Sequence, residues 1–89
     1  MKEFKAIIID PIGLHARLAS IVSSEALKYK SEIKITLPKF NKEGNLKSIM
    51  ILLAMNIRKN DEIIVKATGE DEELAIKELE KVFKEANII

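Results

Sequence analysis

The run Gly13-Leu14-His15-Ala16-Arg17 carries the only histidine in the chain, and a helix-type spacing of apolar residues starts immediately after it. A residue at a helix N-terminus looks onto backbone N–H groups that have no intrahelical acceptor and onto the positive end of the helix dipole. An anion suits that place, and phosphate suits it best. An imidazole there, with a guanidinium two residues on, has the parts of a phosphohistidine site. His15 would be the phosphoryl acceptor, the backbone N–H groups of Ala16 and Arg17 would hold phosphate oxygens, and the Arg17 fork could pair with them in bidentate fashion. The helix dipole also disfavours the imidazolium, so the neutral ring that can attack is expected. On local grounds alone, a cap or loop histidine without chemistry is the commoner use of such a residue. Arg17 is placed against the dipole preference, which invites a functional explanation.

The elements that must hold this run can be read on either side of it. Phe4 to Ile9 is rich in β-branched residues and reads as a strand, broken by Asp10-Pro11-Ile12-Gly13. Ala19, Val22, Ala26 and Tyr29 recur at helical intervals, which predicts a helix over about Ala16–Tyr29 with His15 at or near its N-cap. Ile33, Ile35 and Leu37 alternate with polar residues as in a half-buried strand, and Pro38 ends it. Lys39 to Asn45 reads as a polar loop with a short edge strand around Phe40. Ser48 then precedes seven apolar residues, Ile49 to Met55. Periodicity does not separate a buried strand from a short helix there; leucine, methionine and alanine favour the helix, with Ser48 as N-cap and Asn56 closing it in the left-handed conformation. Glu62 to Thr68 reads as a strand with Ile63, Val65 and Ala67 on one face. Asp71 is placed to cap a last helix whose apolar stripe is Ala75, Leu79, Val82, Phe83 and Ala86. Glu73–Lys77 and Glu80–Lys84 have the spacing of i,i+4 ion pairs on that helix.

The resulting order is βαββαβα. Strands with one apolar face and helices with one apolar stripe predict an α+β domain, with helices layered on one face of a largely antiparallel sheet. The 89 residues predict a single domain, 1–89. Charged residues are 33% of the chain and interspersed, and the net charge is +1, which argues against nucleic-acid binding by bulk charge. With no cysteine and one histidine, disulfides, thiolate metal sites and multi-histidine metal sites are excluded. The apolar runs are too short for a signal peptide or a membrane span, so no membrane insertion and a cytoplasmic location are expected.

Gly13-Leu14-His15-Ala16-Arg17, with Leu46-Lys47-Ser48-Ile49-Met50 ahead of a short apolar helix, resembles the histidine-containing phosphocarrier (HPr) family of the bacterial phosphoenolpyruvate-dependent sugar phosphotransferase system. The similarity runs over essentially the whole chain in length and element order. It implies an HPr-like open-faced β-sandwich, a four-stranded antiparallel sheet covered on one face by three helices. It implies that His15 takes a phosphoryl group through Nδ1 from enzyme I and passes it to the IIA component of a sugar permease, with Arg17 assisting. It implies that Ser48 is a regulatory serine, the target of an HPr kinase/phosphorylase in those bacteria that have one, read by a catabolite-control regulator. The outward side of the Ile49–Met55 helix would dock partners, and Ile49, Met50 and Leu53, together with Leu18 and Ile21, are expected in that surface. Such a protein is a stoichiometric carrier rather than a self-contained enzyme, needs no cofactor or metal of its own, and is expected as a monomer.

Three positions depart from the family pattern. Leu18 stands where proline usually follows the arginine, Ile51 stands at a common glycine, and Asn56 stands where glycine often ends the short helix. Two rival readings remain beside the carrier. One is a regulatory interaction module of carbon metabolism acting through phospho-Ser48. The other, weaker, is a small nucleic-acid binder, against which the near-neutral charge and the lack of aromatic platforms on strands count.

Overall fold

A computed structural model describes all residues, 1–89. The chain forms β1 (Lys2–Ile7), α1 (Ala16–Ala26), β2 (Glu32–Leu37), a one-turn 3-10 segment (Pro38–Phe40), β3 (Lys42–Asn45), α2 (Ile49–Ala54), β4 (Glu62–Thr68) and α3 (Glu72–Glu85). The four strands make one antiparallel sheet in the order β1-β4-β2-β3. The register places Phe4 and Ile35 on either side of Val65, and Ile33 beside Ala67, so these residues share one face. All of them are buried, and the three helices close over that face with Ala19, Val22, Leu52, Leu79 and Phe83. The opposite face carries Lys5, Lys34 and Lys66 with half-buried Ile64 among them. Phe4 and Phe83 meet edge to face at 5.5 Å and 74° and tie β1 to α3. Such a pair contributes about 0.5–1.5 kcal/mol beyond its buried area. No helix is long and apolar enough to cross a membrane.

Several boundaries differ from the expectation, each for a tertiary reason. β1 starts at Lys2 because Lys2 and Glu3 find partners in Ala67 and Lys66 of β4. It stops at Ile7, since the Ile8 and Ile9 amides leave the ladder to donate to Asp61 O and Ile88 O. α1 ends at Ala26, not Tyr29: Lys28 N and Tyr29 N donate to residues three back, Glu25 O and Ala26 O, which tightens the last turn. Phe40 lies in the 3-10 turn rather than in a strand. Left-handed Asn41 (φ 51°) then turns the chain into β3 at the sheet edge. α2 is capped as expected, Ser48 Oγ accepting from Ile51 N at 3.3 Å, and Asn56 follows it in the left-handed conformation (φ 55°). In α3 the Glu80–Lys84 pair forms at 3.6 Å, whereas Glu73 approaches Lys2 Nζ at 3.8 Å instead of Lys77.

Asp71 precedes α3 but its side chain does not cap it. The carboxylate instead accepts from Lys30 N (2.8 Å), Ser31 N (2.9 Å) and Ser31 Oγ (2.5 Å), forty residues away in the chain. The Ser31 hydroxyl bond, with help from the Lys30 amide, holds the Asp71 carboxyl below its ordinary range. A lowered folded value stabilises the fold above the unfolded pKa of about 3.9, and that stabilisation is lost as pH falls through the folded value. Asp71→Ala strands the buried Ser31 hydroxyl. Thermal melts are expected to show a midpoint several degrees below the parent's at pH 7, and a smaller gap at the acid end, below about pH 3.9, where the share due to the charge is being lost and the share due to the stranded Ser31 hydroxyl remains. An equal gap at both would mean that the charge is not what matters.

Candidate functional site

His15 is the N-cap residue of α1, with extended backbone (φ −79°, ψ 177°) and a side chain that makes no capping bond. Its carbonyl accepts from Ala19 N at 2.8 Å, the first amide of the helix to find an acceptor. The N–H groups of Ala16, Arg17 and Leu18 therefore have no backbone partner and face the N-terminal end of the helix, where the imidazole lies. Arg17 is exposed and engaged in no ion pair or hydrogen bond, so its guanidinium is free to meet an anion.

The loop before the helix is fixed at several points. Gly13 N donates to Asp10 O, and Leu14 N donates to Ile57 O, both at 3.0 Å, while the Leu14 side chain is buried. Gly13 takes φ +90°, and a Cβ there would lie 2.3 Å from Ile57 O and 2.7 Å from the Arg58 Cα. Only glycine lets this loop lie against the 57–58 backbone. The sequence reading missed Asp10. Its Oδ1 accepts from Ile12 N at 2.9 Å and lies 4.0 Å from His15 Nε2. Aspartate two residues before an amide is a recognisable turn former, but its approach to the ring depends on the folded loop.

Of the expected docking residues, Ile21, Ile49, Met50 and Leu53 are exposed, Met50 to 81%. They lie on α1 and α2, which pack against each other, while Leu52 and Met55 supply the inward side of the same apolar run. Leu18 is a correction: it is 1% exposed. Its position, four residues before buried Val22, points it into the core, so its side chain is unavailable to a partner. Ile12, 74% exposed on the loop beside His15, was not anticipated. Ile51 is accommodated by Gly44 of β3: a Cβ on that glycine would fall 2.5 Å from Ile51 Cγ2.

Ser48 is half-buried at the start of α2, its oxygen accepting from Ile51 N. The neighbouring Lys47 ammonium is occupied by Tyr29 O at 2.7 Å, and Lys47 O accepts from Ser23 Oγ at 2.8 Å. These two bonds strap α1 to the segment leading into α2. Neither His15 nor Arg17 lines any of the surface clefts. The largest cleft, about 590 Å³, sits at the start of α3 among Glu70, Asp71, Glu72 and Glu73, whose charges would repel phosphate. The imidazole thus lies outside every cleft, with 27% of its side chain exposed.

Comparison with known proteins agrees with this geometry. Residues 2–85 match the family model described as the PTS HPr component phosphorylation site. The phosphocarrier protein HPr of Mycoplasma genitalium is 48% identical over 89 residues, covering all of both chains, and that of Mycoplasma pneumoniae is 44% identical over the same extent. Among solved structures, a mycoplasma histidine-containing phosphocarrier protein superimposes with a TM-score of 0.94 at 42% identity, covering 99% of this chain and 98% of that one.

Proposed function

Because this chain belongs to the HPr family of phosphocarrier proteins of the phosphotransferase system, we propose that His15 carries the phosphoryl group, receiving it from enzyme I and donating it to IIA components of sugar permeases in the cytoplasm. The observation that carries this reading is the pairing of the only imidazole, free of any capping bond, with unpaired amides at the start of α1. Nδ1 attacks phosphorus, and the Ala16 and Arg17 N–H groups donate hydrogen bonds to the phosphoryl oxygens. The Arg17 guanidinium adds a mobile positive charge. Phosphoryl transfer demands positioning and charge stabilisation more than covalent machinery, so a surface site suffices. Residues 1–89 act as one carrier domain, and Ile21, Ile49, Met50 and Leu53 form the patch that brings partners to His15. Apolar patches rimmed by polar residues are a common form of such surfaces. The test is to mix the protein with enzyme I, magnesium and phosphoenolpyruvate and to read its intact mass. A gain of one acid-labile phosphate is the expected result, and no gain with a matched enzyme I overturns the reading.

A second reading rests on Ser48, whose hydroxyl is half-buried at the edge of the exposed α2 patch. Phosphorylation there adds about −1.5 to −2 charges at a helix N-terminus, which tolerates them. The fold survives, while an acidic partner surface beside it is repelled. A regulatory protein that selects the phosphoserine form, such as a catabolite-control regulator, would use the same patch after modification by HPr kinase/phosphorylase. Ser48→Asp is expected to raise KM for enzyme I several-fold and to leave the hydrolysis rate of the phosphohistidine unchanged. An unaltered KM would remove Ser48 from the docking surface.

A further inference from the structure

Asp10 has two faces that the carrier reading does not use. One oxygen, Oδ1, accepts the Ile12 N–H at 2.9 Å and also lies 4.0 Å from His15 Nε2. The Asp10 backbone carbonyl accepts from Gly13 N at 3.0 Å. The carboxylate is therefore held by the same short loop that holds the ring. Both side chains are largely covered, Asp10 to 17% and His15 to 27% exposure, so the interaction is only partly screened by water. No other carboxylate comes within 4.0 Å of a ring nitrogen. The adjoining loop also carries Arg58, Lys59 and Asp61, and the Asp61 carboxylate is engaged by Arg58 N at 2.8 Å.

Resting on the phosphocarrier reading, we propose that Asp10 is a positioning residue for His15, one that keeps the ring proton on Nε2 and leaves the Nδ1 lone pair for phosphorus. A neutral imidazole carries one proton, and the neighbour of each nitrogen decides which one holds it. A carboxylate near Nε2 attracts the N–H dipole there. In the uptake step the Nδ1 lone pair forms the new N–P bond. The donor's bond to phosphorus breaks, and its electron pair leaves with the donor. The ring keeps its Nε2 proton and gains a positive charge. Asp10 then faces that charge from the Nε2 side, away from the negative phosphoryl oxygens. In the donation step the N–P electron pair returns to Nδ1, and the ring is restored in the same tautomer. The helix amides and Asp10 thus act on opposite nitrogens, one on the phosphoryl group and the other on the proton.

The competing role for Asp10 is to shape the turn, and two substitutions separate the roles. Asp10→Asn keeps an amide oxygen for Ile12 N–H and removes the charge; Asp10→Ala removes both. The readouts are the imidazole 15N shifts of the neutral ring, which report the tautomer, and kcat and KM for phosphoryl uptake from enzyme I. In the parent the proton is expected on Nε2. Asp10→Asn is expected to move part of it to Nδ1 and to lower kcat by about three- to tenfold, the scale set by a charge 4 Å away at a partly solvated site, with KM unchanged. Asp10→Ala should show the same tautomer change together with altered Ile12 and Gly13 amide signals. A parent ring protonated at Nδ1, or an Asp10→Asn protein equal to the parent in both tautomer and kcat, overturns this role and leaves the carrier reading standing. A parent that takes no phosphate overturns both.

Discussion

A His15→Ala protein is expected to take up no phosphate from enzyme I and phosphoenolpyruvate, a loss of more than about a thousandfold in rate, while melting at nearly the parent's temperature. The two halves of this result have separate causes. The imidazole makes no capping bond and no other hydrogen bond in the fold, so removing it leaves no buried group unsatisfied. Alanine is a poor N-cap, but the histidine side chain does not cap either. Surface changes of this kind stay within about 0.5 kcal/mol. The chemical loss is complete because the chain holds no cysteine and no second histidine that could take over as nucleophile. Intact mass in the presence of the donor reads the first half, and a thermal melt reads the second. Acid treatment separates the two readings of the protein: an N–P bond to histidine is lost in acid, whereas a phosphate ester on Ser48 persists. Phosphate retained by His15→Ala that survives acid, and is lost again on Ser48→Ala, would therefore transfer the function to Ser48.

Much of the frame that holds His15 is legible in the residues themselves. Alternation in Ile33-Lys34-Ile35-Thr36-Leu37 and in Glu62–Thr68 is set by the pleat, and both segments are strands with the expected faces inward. Ser48 and Asn56 bracket α2 by local chemistry alone, as N-cap and left-handed stop. What the sequence does not expose depends on distant partners. Nothing near Asp71 says that its carboxylate will serve Lys30 and Ser31 rather than its own helix. β3 contains Lys42, Glu43, Gly44 and Asn45 and has little strand propensity; it forms because β2 offers an open edge. Asp10 reads as a turn former, and its second role needs the loop closed onto Ile57. Leu18 is different, since the signal was present. Its spacing of four to Val22 and eight to Ala26 marks the inward arc of α1, and all three are buried.

Gly13→Ala is expected to fail in the complementary way, losing stability first and phosphoryl uptake as a consequence. At φ +90° an L side chain is strained, and the new methyl would meet Ile57 O at 2.3 Å and the Arg58 Cα at 2.7 Å. Both obstacles are backbone, so no side-chain rotation can relieve them. The loop must lift, which breaks the Leu14 N to Ile57 O bond and withdraws Leu14 from the core. Strain and lost contacts together cost about 2–4 kcal/mol, which lowers the melting midpoint of a domain this size by roughly 10 °C or more. Gly44→Ala supplies the control. Its methyl would come nearly as close to other atoms, 2.5 Å from Ile51 Cγ2 and 2.8 Å from Met55 Sδ, but these belong to side chains rather than to backbone, and Gly44 does not have positive φ. The same added carbon should therefore cost far less there and leave phosphoryl uptake near the parent's. Thermal melts of the two variants, with intact mass after incubation with enzyme I below either midpoint, test the distinction. A Gly13→Ala protein as stable and as active as Gly44→Ala would mean that the loop carrying His15 is not held by the 57–58 backbone at all.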